Sequence, residues 1–208
     1  MKNQLIYFKR FVNSLQRPTK KTNTRLLHER GEDLSKFIFR DAREEEIPAL
    51  ANLHVIAWHQ TYNATPKPEI WKIREWQWRE QFKKDDGTWF CIVIENQKGE
   101  LIGFSKGVKP PAGEHPDNLG NLSKIYLLRE YQRMGLGTKL LGLTVRRFLK
   151  MGITSMVLFG DPANPSCAFH EAMGGKRMNG EKGEFTGNYS WYDLEKLEAI
   201  IHNKSGAI

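Results

Sequence analysis

The amino-acid sequence predicts an α/β fold in which helices cover both faces of one sheet. Segments with the period of strands alternate with segments with the period of helices, and no internal repeat is present. The continuous apolar run at 153–159 is typical of a strand that is buried on both faces. The segment before it, 135–151, has the apolar stripe of an amphipathic helix.

Length and charge divide the chain into a basic arm and one larger domain. A chain of 208 residues fits one domain with an appendage. The net charge is +8, but residues 1–36 contain nine basic and three acidic side chains, whereas the rest of the chain contains 23 and 21. We therefore predict an arm at 1–36 and a domain at 37–208, and the nearly balanced domain makes nucleic acid an unlikely partner for it.

The arm has three open interpretations. Leu5, Phe8, Val12 and Leu15 have helical spacing, and the polar stretch 17–24 predicts a linker. The arm is a helix docked on the domain surface, a basic amphipathic segment that contacts anionic lipid or RNA, or an organelle transit peptide with an acid-free start.

The first half of the domain predicts a strand, two helices and a hairpin. Asp41 follows the strand and is expected to cap a helix whose first turn contains the glutamates 44–46, which the helix dipole favours. The apolar stripe of that helix ends near Tyr62. The ranges are a strand at 37–40, helices at 44–62 and 70–84, and strands at 89–95 and 101–108 around a turn at 96–99.

The second half predicts a long loop followed by alternating elements. The loop at 109–120 contains three prolines, and its His115 and Asp117 either face an acceptor or belong to a solvated loop. The ranges are strands at 121–128, 153–159 and 189–194, helices at 135–151 and 165–173, and a tail with a helical pattern.

Composition excludes several classes of protein. No run approaches about 18 uncharged apolar residues, so no membrane-spanning helix is expected, and no signal-peptide core is present. Cys91 and Cys167 are too few for a disulfide framework, and no Cys/His cluster has the spacing of zinc ligands. We therefore predict no metal site, and a reducing cytoplasm as the location.

The stretch QRMGLG at 132–137 carries the chemical signal of the sequence. It lies between a predicted strand and a predicted helix, where the first helical turn has unpaired N–H donors and a positive dipole end. A diphosphate fits such a site. The Walker pattern is absent, and Leu140 stands where a dinucleotide fingerprint needs its third glycine. A bare GxG is also compatible with an ordinary turn that uses glycine for packing.

At these residues the chain resembles the GCN5-related N-acetyltransferases, or GNAT superfamily, in a bacterial branch that acts on small molecules. QxxGxG after an apolar strand resembles their acetyl-CoA signature. The segment NPSCAFHEAMG at 164–174 resembles their second motif, and AWHQTY at 57–62 resembles the first helix of one bacterial branch. The resemblance covers about 37–194.

The resemblance implies a mixed, mostly antiparallel sheet with helices on both faces and splayed fourth and fifth strands. It also implies acetyl-CoA as co-substrate, with backbone groups at the end of the fourth strand pairing with the pantetheine amides. N–H groups of the loop would bind the diphosphate, Asn164 would hydrogen-bond the pantetheine arm, and Phe169 would pack against the cofactor. The implied cofactor residues are Leu127, Leu128, Gln132, Arg133, Met134, Gly135, Leu136, Gly137, Thr138, Asn164 and Phe169.

Two departures from the family pattern concern catalysis. Asn121 stands where many relatives carry a glutamate, and an amide cannot accept a proton, so the base acts elsewhere or through water. His170 replaces the usual tyrosine and serves as acid, as base, or as a helix-surface residue with no catalytic role. Tyr189 and Tyr192 are substitutes or packing residues, and an acyl-enzyme relay through Cys167 is a further alternative. The catalytic candidates are therefore Asn121, His170 and Tyr192.

The function implied is transfer of an acetyl group from acetyl-CoA to the primary amine of a small acceptor, by direct attack on the thioester. One alternative is a non-catalytic domain that binds or senses acyl-CoA, which Asn121 and His170 favour. Another is a ribosome- or RNA-associated protein that uses the basic arm. The acceptor is not identified by the sequence, and a homodimer is left open.

Overall fold

The computed structural model describes residues 20–65, 67–84, 86–111, 113 and 118–205. The predicted helical pattern from Leu5 to Leu15 lies outside the described residues, as do the loop candidates His115 and Asp117. No helix in the described residues is long and apolar enough to cross a membrane.

Seven strands form one sheet, which confirms the predicted fold class. The sheet is mostly antiparallel, with the strand order β1-β2-β3-β4-β5-β7-β6 and a parallel β4–β5 pair. The strands are β1 (Ile38–Asp41), β2 (Trp89–Glu95), β3 (Leu101–Val108), β4 (Leu119–Leu127), β5 (Ser155–Leu158), β6 (Lys176–Asn179) and β7 (Phe185–Trp191).

Six α-helices lie in the described part of the chain. They are α1 (Lys20–Glu29), α2 (Ile47–Tyr62), α3 (Glu69–Phe82), α4 (Leu136–Lys150), α5 (Cys167–Ala172) and α6 (Leu194–Ser205). A 3-10 turn, Arg129–Tyr131, precedes α4 and leads into the predicted phosphate loop.

The fourth and fifth strands separate soon after they meet, as predicted. Their parallel pairing runs from Leu119 opposite Ser155 to Asn121 opposite Val157. Strand β4 continues to Leu127, whereas β5 ends at Leu158. Most of β4 therefore lies beyond its register with β5, and no described strand pairs with that part of its β5-facing edge.

The chain divides into two compact units, of which the first contains the described residues of 20–84, 93–104 and 126–137. Its core includes an aromatic cluster of His54, Trp78, Phe104 and Tyr126. The ring of His54 lies 5.4 Å from Phe104 and 5.5 Å from Tyr126, and Phe104 lies 5.5 Å from Trp78. This cluster packs α2 and α3 against the strand residues of the unit.

The second unit contains the described residues of 86–92, 105–125 and 138–205. Phe148 of α4 is fully buried, and its ring lies 5.1 Å from Phe90. A Cβ atom at Gly120 would lie 2.8 Å from the Phe148 ring, and one at Gly107 would also clash with it. Glycine at these two strand positions therefore lets α4 lie close to the sheet in this unit.

The structure corrects four element predictions. Residues 20–24 begin α1 instead of forming a linker, because the polar side chain of Asn23 is buried and hydrogen-bonded. Asp41 ends β1, and Arg43 takes the N-cap position of the 3-10 turn Glu44–Glu46 that precedes α2. Strand β6 was missed because it is a four-residue, mostly exposed edge strand. Strand β7 begins at Phe185 and not at the predicted residue 189, because the first half of the strand is polar and gave no strand pattern.

Gly187 should be intolerant of any side chain. Its φ is +87°, and a Cβ atom would lie 2.4 Å from the backbone nitrogen of Pro162. Gly183 has φ +81° with nothing within 4 Å, so Gly183→Ala should cost only the backbone strain of about 1–2 kcal/mol. We expect Gly187→Ala to lower the free energy of unfolding by about 1–3 kcal/mol more than the control, as measured by urea denaturation. Equal losses would contradict the close approach.

Candidate active site

The loop before α4 has the backbone geometry of an anion site. Arg133 has φ +65° and Gly135 has φ +83°, so the chain turns sharply before the helix begins. Within the described residues, the N–H groups of Arg133, Met134 and Gly135 have no hydrogen-bond acceptor. The first-turn amides of an α-helix have no acceptor within the helix itself, and no acidic residue lies in the first turn of α4. Successive free amides at a positive dipole end bind anions.

Side chains hold the entrance to this loop. Gln132 donates from Nε2 to the carbonyl oxygen of Leu127 at 2.9 Å, which links the loop to the end of β4. Asn23, only 1% exposed, donates to the carbonyl oxygens of Arg129 (3.0 Å) and Gln132 (2.8 Å). The carbonyls of the turn are therefore occupied, whereas the amides that follow are not.

Helix α2 holds the same turn through Gln60. Its Oε1 accepts from the Arg129 amide at 2.8 Å, and its carbonyl oxygen accepts from the Arg129 guanidinium. The guanidinium also donates to Oδ1 of Asn63 at 2.9 Å. Sequence reasoning missed Asn23, Gln60 and Arg129 as supports of the loop. A motif search detects the glycines of a loop but not the distant side chains that bind its carbonyls.

The strand end predicted to pair with pantetheine already has internal partners. The Leu128 amide donates to the Ile102 carbonyl at 2.9 Å, and the Leu128 carbonyl accepts from the Tyr131 amide at 2.9 Å. The Leu127 carbonyl accepts from Gln132 and has a second lone pair. The edge of β4 after Asn121 is thus better suited to pair with a ligand than the groups of Leu128.

The second motif forms the short helix α5. The Oδ1 atom of Asn164 accepts a hydrogen bond from the Ser166 amide at 2.9 Å. The Asn164 side chain therefore shapes the turn that leads into α5. Phe169 is half-buried, and its ring lies 5.4 Å from the ring of His170. Both residues lie in the second unit, and their roles toward a ligand stay predictions.

His170 lies in an aromatic environment and is not on the helix surface. It is 4% exposed, and its ring lies 5.3 Å from Tyr189 and 6.0 Å from Trp191. Its Nε2 lies 3.3 Å from Oγ of Ser166, and its Nδ1 has no hydrogen-bond partner in the described residues. Burial lowers the pKa of His170 to about 4. The ring is therefore neutral near pH 7, and it can accept a proton there only at a large energetic cost.

Asn121 and Tyr192 lie at opposite ends of β5. Asn121 is the last residue of β4 paired with β5, and its buried Oδ1 has no hydrogen-bond partner in the described residues. Trp191 pairs with Met156 near the start of β5, so Tyr192 lies beyond that end and is 76% exposed. Tyr189 pairs with Leu158 at the end where β4 and β5 separate.

The Tyr189 hydroxyl is not free to act as an acid in this arrangement. It donates to Oε1 of Glu171 at 2.9 Å and lies 3.4 Å from the Cys167 carbonyl. Burial, followed by these hydrogen bonds, raises the pKa of Tyr189. The side chain therefore stays protonated at neutral pH and links β7 to α5.

Aromatic residues of α2 and β4 form a second feature of the first unit. The rings of Trp58 and Tyr62 lie 4.8 Å apart on the last turns of α2. Tyr126 of β4 stacks near His54, and burial raises the pKa of Tyr126 to about 12, so its phenol is protonated at neutral pH. His54 and Tyr126 were not predicted as site residues, since both fall in ordinary apolar stripes of their elements.

Comparison with known proteins decides the family. A family model described as "Acetyltransferase (GNAT) family" matches residues 47–175, which include α2, β4, the loop and α5. The chain belongs to the GNAT acetyltransferase family. A curated relative, the uncharacterized N-acetyltransferase YuaI of Bacillus subtilis (strain 168), is 28% identical over 169 residues, covering 78% of this chain and 97% of the relative.

Solved GNAT structures share the fold. The PaiA N-acetyltransferase from Thermoplasma acidophilum, in complex with coenzyme A, has a TM-score of 0.62 at 18% identity and covers 74% of this chain and 98% of its own. A phosphinothricin acetyltransferase from Sinorhizobium meliloti, in complex with acetyl-CoA, has a TM-score of 0.57 at 21% identity and covers 74% and 85%. The mixed sheet of this GNAT chain is therefore that of its family.

The buried His170 should make the stability of this GNAT protein depend on pH. Its pKa is lowered on folding, so the unfolded chain binds the additional proton between about pH 6.5 and about pH 4. Stability from this group is present above about pH 6.5 and falls as the pH is lowered toward about 4. We expect His170→Phe, which keeps an aromatic ring, to lose less stability than wild type between pH 7 and pH 4.5 in urea denaturation. Parallel curves for the two proteins would contradict the lowered pKa.

Proposed function

We propose that this protein transfers an acetyl group from acetyl-CoA to the primary amine of a small acceptor, by direct attack of the amine on the thioester. The observation that carries the proposal is the run of amides at Arg133, Met134 and Gly135, which have no hydrogen-bond acceptor in the described residues and which lead directly into the start of α4. Family membership supports acetyl transfer, and the solved neighbours named for coenzyme A or acetyl-CoA support the co-substrate. The amine and its class are part of the proposal.

The residues of the loop fit the diphosphate of a coenzyme A molecule. Amides of Arg133, Met134, Gly135, Leu136, Gly137 and Thr138 would donate to its oxygens, and exposed Arg133 adds positive charge beside them. The edge of β4 after Asn121 would pair with the pantetheine amides as an added strand. Asn164 and Phe169 keep their predicted roles toward the pantetheine arm. Acetyl-CoA supplies the activated acyl group.

Catalysis by this chain must begin with deprotonation of the amine. Alkylamines have a pKa of about 10.4, so most acceptor molecules are cationic at neutral pH. We do not assign the role of base to His170, because burial lowers its pKa to about 4 and makes its ring a weak proton acceptor. We propose that Asn121 orients the acceptor or a water through its unbonded Oδ1, and that the proton leaves through water. Tyr192 stays a predicted acid for the departing thiolate. In this role its hydroxyl must reach the thiolate from the start of β5, the end opposite to Asn121.

Two observations favour a second candidate, a non-catalytic domain that binds acyl-CoA. The amide of Asn121 cannot act as a base, and His170 is a weak base because burial lowers its pKa to about 4. Measuring free thiol released from acetyl-CoA with a panel of alkyl- and arylalkylamines separates the two functions. Amine-dependent release supports the transferase, whereas binding of coenzyme A with no release above background for any amine supports the sensor.

An acidic residue in the first turn of α4 should weaken coenzyme A binding without unfolding the protein. We expect Thr138→Glu to raise the dissociation constant at least about tenfold in calorimetry, because the carboxylate repels the diphosphate at the amides that bind it. The same charge favours the helix dipole, so thermal stability should not fall. Ala199→Glu, at an exposed position of α6, adds the same charge and is the matched control. Equal affinity for coenzyme A in both variants would contradict the loop as the diphosphate site.

A further inference from the structure

We infer that α1 is a positioning element of the diphosphate loop, with Asn23 as its positioning residue; this rests on the proposed function. Helix α1 lies outside residues 47–175, which the family model matches. Neither the family pattern nor the sequence analysis gives it a part in the site. Its contacts are with the 3-10 turn that enters the loop, and all of these residues belong to the first unit.

The Asn23 amide binds the turn at two carbonyls. Nδ2 lies 3.0 Å from the Arg129 carbonyl oxygen and 2.8 Å from that of Gln132, and the residue is 1% exposed. A side-chain NH₂ group has two protons, so it can satisfy both acceptors. Few other side chains of this size can donate twice from one atom, and a carboxylate at this position would face two carbonyl oxygens without a proton.

The bond to Gln132 acts directly on the first donor of the loop. The Gln132 carbonyl and the Arg133 N–H belong to one peptide group, which is planar and trans, as are all described peptide bonds. In a trans peptide the C=O and N–H bonds point in opposite directions. A hydrogen bond that fixes the Gln132 carbonyl therefore also fixes the direction of the Arg133 amide. Arg133 has φ +65°, a conformation that a non-glycine residue keeps only when its surroundings hold it.

A second contact from the same segment fixes the other side of the turn. The buried carboxylate of Glu32, three residues after α1, accepts from the Tyr131 hydroxyl at 3.0 Å. Arg30 lies 3.2 Å from the same carboxylate and covers the Tyr131 ring, and Asn96 donates to the hydroxyl at 3.2 Å. Segment 20–36 thus binds the turn at two places: the Asn23 side chain donates to backbone carbonyls of the turn, and the Glu32 side chain accepts from the Tyr131 hydroxyl.

Amides that are already held in position should bind a diphosphate more tightly than mobile ones, because the loop loses less conformational entropy when the ligand binds. Asn23 touches neither the ligand nor the reacting atoms. Its substitution should therefore change the affinity for coenzyme A while leaving the donors of the loop chemically intact.

The experiment measures coenzyme A binding to the full chain by calorimetry. We expect Asn23→Asp, which keeps the size of the side chain, to raise the dissociation constant about tenfold, and Asn23→Ala to raise it by a smaller factor. Thr24→Asp adds the same charge on the exposed face of α1 and should bind within about twofold of wild type. Gly183→Ala introduces backbone strain in the second unit and so controls for a general loss of stability. This variant should also bind coenzyme A like wild type.

Amide exchange provides a readout that general destabilisation does not reproduce. Deuterium uptake at 133–138 without ligand should be faster in Asn23→Ala than in Gly183→Ala, because only the first variant frees the turn. If wild type binds coenzyme A and both Asn23 variants bind within twofold of it, the inference is overturned and the proposed function stands. Absence of binding by wild type itself would remove the proposed function and this inference together.

Discussion

At the turn before α4, backbone carbonyls are hydrogen-bonded by side chains, whereas the amides that follow have no acceptor in the described residues. The proposed site depends on this difference. The carbonyls of Arg129 and Gln132 are bound by Asn23, and the carbonyl of Leu127 by Gln132. The amides of Arg133, Met134 and Gly135 have no hydrogen-bond acceptor in the described residues. The turn holds the backbone of Arg133 in a left-handed conformation that a non-glycine residue rarely adopts, so the direction of these amides is fixed. A main chain held in this way offers donors to an anion without rearrangement.

The sheet supplies the second requirement, a backbone edge of β4 that is not paired with β5. Strand β4 pairs with β5 as far as Asn121 and then continues to Leu127 without pairing with β5. In the second unit, α4 lies close to the sheet because Gly120 leaves room for the Phe148 ring. Around α5, by contrast, the rings of His170, Tyr189 and Trp191 pack against each other. This part of the chain is built for packing, which accounts for the neutral state of the imidazole.

The sequence predicted the elements whose pattern is local. The apolar strand, the glycines and the amphipathic helix around 121–151 lie where periodicity and turn chemistry put them, and the fold class is confirmed. Helix α1 was missed because Asn23 is polar, and its burial depends on carbonyls more than 100 residues away along the chain. Strand β6 has no apolar alternation because most of its residues face solvent at the sheet edge. The roles assigned to Asn121, His170 and Tyr192 stay predictions, since proton transfer depends on neighbours that no local pattern reveals.

The position of α1 has an evolutionary consequence. Its residues contribute no strand to the sheet, and they precede the region by which membership in the family is recognised. Natural selection can therefore alter this helix without disturbing the sheet. Two homologues with identical glycine signatures would then differ in how firmly they retain the same nucleotide, and an alignment restricted to the shared domain would not register the cause.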